Sequence, residues 1–197
     1  MTMKLLKTLF IISAVTLPFT ANAHNLTPGK APLTVSNVQS GEVLLNGGKV
    51  QYQTWNSNSL NDKVRVVQHM AGRISVKSMN DPLMDKIKAA NFPHDKYQTT
   101  TIVNTADATL GMSSMAKSKT ESGKKAFPYT MVVVDDNGKV KQSWQLQPEN
   151  SLIMVLDKQG IVRFAKEGKL SDAENQQVIK LVSELIKQEL FFLIAAE

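Results

Sequence analysis

The chain has 197 residues, no cysteine and a formal net charge of +6. Without a thiol it can form no thiolate nucleophile, dithiol redox pair, cysteine zinc site or haem attachment. Its lysines are spread along the chain and its only arginines are Arg65, Arg73 and Arg163, so the positive charge carries no nucleic-acid signature.

The first 23 residues have three parts in order. Lys4 and Lys7 give a positive start without an acid, Thr8 to Phe19 is uncharged and apolar, and Ala21-Asn22-Ala23 supplies small residues at a cleavage site. That is the pattern of a secretory signal. The apolar stretch is too short to cross a bilayer, which takes about 20 residues. Cleavage is expected after Ala23, leaving an exported chain that begins at His24 and has no transmembrane segment. The alternative, a buried N-terminal helix, does not account for the order of the three parts. The remaining length suits one domain with its own core, which needs no disulfide.

Residues 24–35, with Pro28 and Pro32, read as an extended lead-in. Glu42-Val43-Leu44-Leu45 and Val50 to Thr54 flank Asn46-Gly47-Gly48, a hairpin signal because Asn and Gly tolerate positive φ. Val64-Arg65-Val66-Val67 reads as a buried strand. Asn80 or Asp81 can cap a helix with Pro82 in its first turn, running to about Ala90. Tyr97 to Val103, rich in Thr and Val, reads as the next strand. A helix is expected within 111–126. Met131 to Val140 and Ile153 to Val162 each read as a strand ending in Asp, a Gly turn and a second strand. Ser171 and Glu174 form a capping box. The helix it opens buries Val178, Ile179, Leu181, Val182, Leu185 and Ile186 and is expected to end near Gln188.

This order of a Gly-rich hairpin, the Asp62 to Val67 strand, helix, strand, helix, an Asp-x-x-Gly hairpin and a final helix resembles the thioredoxin-like superfamily. Phe127-Pro128 through Gly168 is most similar to its peroxiredoxin and thiol-reductase branches. More narrowly, Lys63 to Arg73, Pro93 to Thr105 and Trp144-Gln145-Leu146 are similar to the YtfJ family of exported bacterial proteins, a family without an established activity. The resemblance implies an α/β fold, a three-layer α/β/α thioredoxin-like domain over residues 24–189 with an N-terminal β-hairpin, and a periplasmic location. It offers no counterpart for the apolar tail 190–197, which is expected to be peripheral and dispensable after Gln188.

Two departures from the superfamily pattern bear on chemistry. Working cysteines would lie just after the central strand, where this chain reads Gln68 to Ser78 without one. A cis-proline would precede the penultimate hairpin strand, where Glu149-Asn150-Ser151 stand and Pro148 comes slightly early. Disulfide exchange and thiol-peroxidase activity are therefore expected to be absent.

The window 68–78 still holds the candidate ligand-facing residues Gln68, His69, Arg73 and Ser75, at the strand end where open α/β sheets bind ligands. His69 can serve as base or ligand, and Arg73 can bind an anion. Ser75 becomes a nucleophile only beside a positioned base. Against this, His69 can be a structural histidine and Arg73 a surface or ion-pairing residue. His24, His69 and Met70 are weak copper ligands, since imidazole and thioether suit Cu(I), but no two histidines have helical ligand spacing. Asp135, Asp136 and Asp157 read as turn formers, and Lys117, Lys119, Lys124 and Lys125 as a solvated helix face. No cofactor is expected. The resulting expectation is a redox-inactive binding or accessory module whose partner is a periplasmic protein or small molecule. The rivals are a non-thiol enzyme using the 68–78 window and a copper carrier.

Overall fold

The computed structural model describes residues 24–194, with side chains through Gln188; the expected signal 1–23 and the side chains of the apolar tail lie outside this range. Seven strands form one sheet: β1 (Val38–Asn46), β2 (Lys49–Trp55), β3 (Val64–Ala71), β4 (Tyr97–Asn104), β5 (Met131–Asp135), β6 (Ser151–Leu156) and β7 (Val162–Glu167). Their spatial order is β2-β1-β5-β4-β3-β6-β7. β3, β4 and β5 run parallel, and the remaining neighbours pair antiparallel. The parallel centre is expected to need cover on both faces, and it has it.

The helices are α1 (Ile74–Lys77), α2 (Asp81–Ala90), α3 (Ser113–Ala126), α4 (Lys139–Trp144) and α5 (Asp172–Ile194). On one face, α4 and the lead-in segment bury Leu26, Val35, Val140 and Trp144 against Val67, Ile102, Val133 and Met154. On the other, α2 and α5 bury Leu83, Val178 and Val182 against Val64, Val66, Ile153 and Val155. The third helix on that face, α3, lies over β1 and β5, beside a small cluster of Val43, Val132 and Val134. The β1–β2 hairpin turns through Gly47 and Gly48 at φ 57° and 77°, as its sequence requires.

Several expectations change. β3 extends through Ala71, so Gln68, His69 and Met70 are strand residues paired with β4 and β6 rather than part of a loop. The Met131 to Val140 unit is not a hairpin: β5 is followed by α4. Asp135 makes the difference. Its buried carboxylate accepts the backbone N–H groups of Lys139 at 3.0 Å and Val140 at 2.8 Å, so it caps a helix instead of closing a turn. Val140 and Trp144 then lie four residues apart on the buried face of that helix. In the second unit, Asp157 accepts from Gln159 and Ile161 and pairs with Arg163, which closes the expected hairpin.

Asn80 does not cap α2 through its side chain. Its amide donates to Ser151 Oγ and Gly168 O, and its carbonyl accepts from Leu170 N–H, so it ties the start of α2 to the β6–β7 end. The box of Ser171 and Glu174 forms as expected, with Glu174 N–H donating to Ser171 Oγ and Ser171 N–H donating to Glu174 Oε2. Lys166, with the Ser171 N–H and hydroxyl both donating to the carboxylate, draws the Glu174 carboxyl down to about 2. α5 continues to Ile194, beyond the expected end at Gln188, through a stretch without Gly or Pro. Lys124 is not part of a solvated face: it is buried and donates to the carbonyls of Pro128 and Thr130.

Candidate functional site

The composition of α3 shapes the site. Its sequence, Ser-Ser-Met-Ala-Lys-Ser-Lys-Thr-Glu-Ser-Gly-Lys-Lys-Ala, has one large apolar side chain, Met115. Such a helix cannot fill the space over β4 as α2 and α5 fill theirs over β3 and β6. It is held instead by polar contacts, including Tyr52 Oη donating to Glu121 and Lys117 lying 4.3 Å from the centre of the Tyr52 ring. A cleft of about 970 Å³ remains between α2 and α3. That is large enough for a small-molecule ligand.

The floor of the cleft is one face of the sheet. Gln68 and Met70 of β3, Tyr97, Thr99, Thr101 and Val103 of β4, and Val132 of β5 line it from one face, with Ala71 and Gln98 at its edges. Met84, Ile87 and Phe92 form the α2 wall, and Met112, Met115 and Ala116 the α3 wall. At the end where β4 and β5 begin, half-exposed aromatic groups line it. His94 stacks on Tyr129 with ring centres 4.0 Å apart, Phe127 meets Tyr129 edge-on, and Lys88 sits 5.6 Å from the Phe127 ring. At the opposite, carboxyl end of the strands, the cleft opens beside Ile74, 75% exposed, and Met115, 48% exposed.

The four candidates from the 68–78 window separate. Gln68, Arg73 and Ser75 line the cleft. Gln68 is only 3% exposed, and its Nε2 has no hydrogen-bond partner. Arg73, just after β3, is an ion-pairing residue. Its Nε donates to Asp107 O at 3.1 Å, and its guanidinium lies 2.9 Å from Glu149 and 3.5 Å from Asp107. Lys141 and the Glu149 N–H also reach Asp107. Burial pushes the Asp107 carboxyl up, but these hydrogen bonds and cations outweigh it and hold the group below its usual range. Ser75 is exposed at the mouth.

His69 belongs to the opposite face. It is 2% exposed, its Nε2 is unpartnered, and burial lowers its pKa to about 4, with Asp107 opposing and Lys141 adding to the shift. Consecutive strand residues point to opposite faces, so His69 shares a ligand sphere neither with Met70 nor with the cleft. His24 is buried in the lead-in segment, whose next residue donates its N–H to the Trp144 carbonyl. Among the described residues, no group of three or more His, Asp or Glu side chains is placed to hold a metal ion. The cleft combines apolar walls with a floor that carries Thr99 and Thr101.

The α2 and α3 walls, and Asp107 in the charge cluster, carry no motif in the sequence. The available signal was the alternation Tyr97, Thr99, Thr101, Val103 opposite a helix with almost no aliphatic residues: a half-polar strand face under a polar helix leaves space.

Comparison with solved structures agrees with the fold. A protein assigned as the thiol:disulfide interchange protein DsbE of Chlorobium tepidum superposes with a TM-score of 0.52 at 12% identity, over 82% of this chain and 99% of its own. The thioredoxin domain of a thiol-disulfide oxidoreductase from Bacteroides vulgatus gives 0.50 at 18% identity, over 80% and 99%. The fold is thioredoxin-like. By sequence, the chain is 43% identical to the uncharacterized protein YtfJ of Escherichia coli K12, over 92% of this chain and 99% of that one. It is 46% identical to an uncharacterized protein of Haemophilus influenzae Rd, over 84% and 90%. With these relatives, and with a family model matching residues 26–185, the chain belongs to the YtfJ_HI0045 family of bacterial proteins of unknown function.

Proposed function

We propose that this protein is a non-redox binding module of the periplasm that takes an apolar ligand in the cleft between α2 and α3. The cleft carries the reading: about 970 Å³, apolar walls, and an open mouth at the carboxyl ends of parallel strands. A cysteine-free sequence supports a role other than thiol exchange, and the three-part leader in residues 1–23 supports export. An enzyme built on His69 with Ser75 has less support, because the two side chains lie on different sides of the sheet.

The uncharged dye N-phenylnaphthylamine tests the reading. Its fluorescence should rise saturably with the mature protein. Thr101→Trp, which puts an indole on the cleft floor, should weaken binding at least tenfold while thermal unfolding stays within about 4 °C of the parent, on the order of 1–2 kcal/mol. Dye that fails to saturate, or that binds a folded Thr101→Trp variant as well as the parent, contradicts the reading.

A further inference from the structure

We infer that β2, one edge of the sheet, pairs antiparallel with β2 of a second copy of this chain about a two-fold axis at Gln51, joining two sheets into one. The contact uses a different surface from the cleft and stands apart from the reading of its ligand.

β2 ends the strand order on one side and β7 on the other, and the two edges differ. At β7, Val162 N–H donates to Lys30 O at 3.0 Å and the Val162 carbonyl accepts from Gly29 N–H at 2.8 Å, so the lead-in covers that end. Arg163, Lys166 and Glu167 put charge along the rest, and the register against β6 shifts between Val155 and Leu156. Cover, charge and irregular register are the means by which an edge is kept from pairing. From Val50 to Gln53, β2 has none of them: it carries no charge and no proline, and its register with β1 is regular. Asn46 and Lys49 close the tight hairpin, so Lys49, Gln51 and Gln53 turn their backbone groups toward β1, while Val50 and Tyr52 turn theirs outward. Among the described residues, no backbone group from another element bonds to either of these two.

The edge is complementary to itself. The only charge on β2 is Lys49, at its start. Antiparallel pairing about Gln51 sets Lys49 opposite Gln53, Val50 opposite Tyr52 and Gln51 opposite its own copy, so no like charges meet. On the α3 face, Lys117 lies over the Tyr52 ring and Glu121 accepts from the Tyr52 hydroxyl, so each copy brings one charge of each sign to the seam. On the other face, Glu42 stands beside Gln53 and has no ion pair among the described residues. Its row continues through Gln53 to Lys49 of the second copy. A two-fold contact of this kind is closed and stops at a dimer.

Sedimentation equilibrium of a chain starting at His24 tests this, and the parent should dimerise reversibly. The sequence has no cysteine, so Gln51→Cys should give a disulfide-linked dimer on mild oxidation, whereas Gln159→Cys, exposed in the β6–β7 turn, should not. Val50→Pro removes an outward donor from each copy and should raise the dissociation constant at least tenfold. Gln51→Lys, at an exposed position, opposes like charges at the axis; it should weaken the dimer, and added salt should restore part of the loss. Thermal unfolding identifies the folded variants. A parent that stays monomeric up to about 0.5 mM overturns the inference. So does a folded Gln51→Lys chain that dimerises as tightly as the parent, or a Gln159→Cys chain that cross-links as fast as Gln51→Cys. None of these outcomes bears on dye binding in the cleft.

Discussion

At pH 4 the folded protein should be less stable than at pH 7 by about 3 kcal/mol on account of His69 alone. Burial keeps this imidazole neutral in the folded state, with its pKa lowered to about 4, against about 6.5 in an unfolded chain. Between those values the unfolded chain binds a proton that the folded protein does not, so acid favours unfolding. The loss starts as the pH falls through about 6.5 and is complete below about 4. Asp107 and Glu174, held below their usual range, act in the same direction at lower pH, while Glu42 and Asp135, raised by burial, act against it. His69→Leu isolates the effect. It removes a buried nitrogen without a partner, so it should be nearly neutral at pH 7. Between pH 7 and 4 its thermal midpoint should fall less than the parent's by roughly 6–12 °C. Parallel pH profiles for the two proteins would show that His69 is reachable by solvent or paired.

Trp144→Ala should cost more, about 3–5 kcal/mol in urea unfolding. Trp144 is fully buried among Leu26, Val35 and Val140, and its indole N–H donates to Leu33 O at 2.9 Å. Its own carbonyl accepts from Asn25 N–H. The substitution therefore leaves a cavity and removes a bond that secures the lead-in segment. Hydrogen exchange at Asn25 and in neighbouring lead-in residues should speed up more than in β3. Trp144→Phe keeps most of the ring and should recover about half of the loss. A Trp144→Ala variant within about 1 kcal/mol of the parent would mean that the lead-in is not packed on α4.

Elements whose local signal matched their environment were legible in the sequence. The hairpin at Asn46-Gly47-Gly48, the Val64–Val67 strand and the box of Ser171 and Glu174 all formed where their residues indicated. Asp135-Asp136-Asn137-Gly138 and Asp157-Lys158-Gln159-Gly160 look alike, yet one leads into a helix and the other closes a hairpin. What separates them is distant: Val140 and Trp144 have a core to enter, whereas Val162 pairs back with Leu156. His69 and Arg73 sit close in sequence, but strand parity sends His69 to the far face, and the extension of β3 to Ala71 was hidden by the polar Gln68-His69 pair. The cleft was the least legible feature, because it arises from what α3 lacks rather than from a motif.

The central claim is that the α2–α3 cleft is where this protein binds. Methionine methyl NMR tests it most directly, on a chain starting at His24 and titrated with N-phenylnaphthylamine. Met70, Met84, Met112 and Met115 line the cleft, whereas Met131 and Met154 lie in the core on the opposite face. The four cleft methyls should shift together and saturate at one equivalent, with Met131 and Met154 unmoved. Saturable shifts confined to Met131 and Met154, or no shift at the four cleft methyls while the dye is bound, would contradict the account.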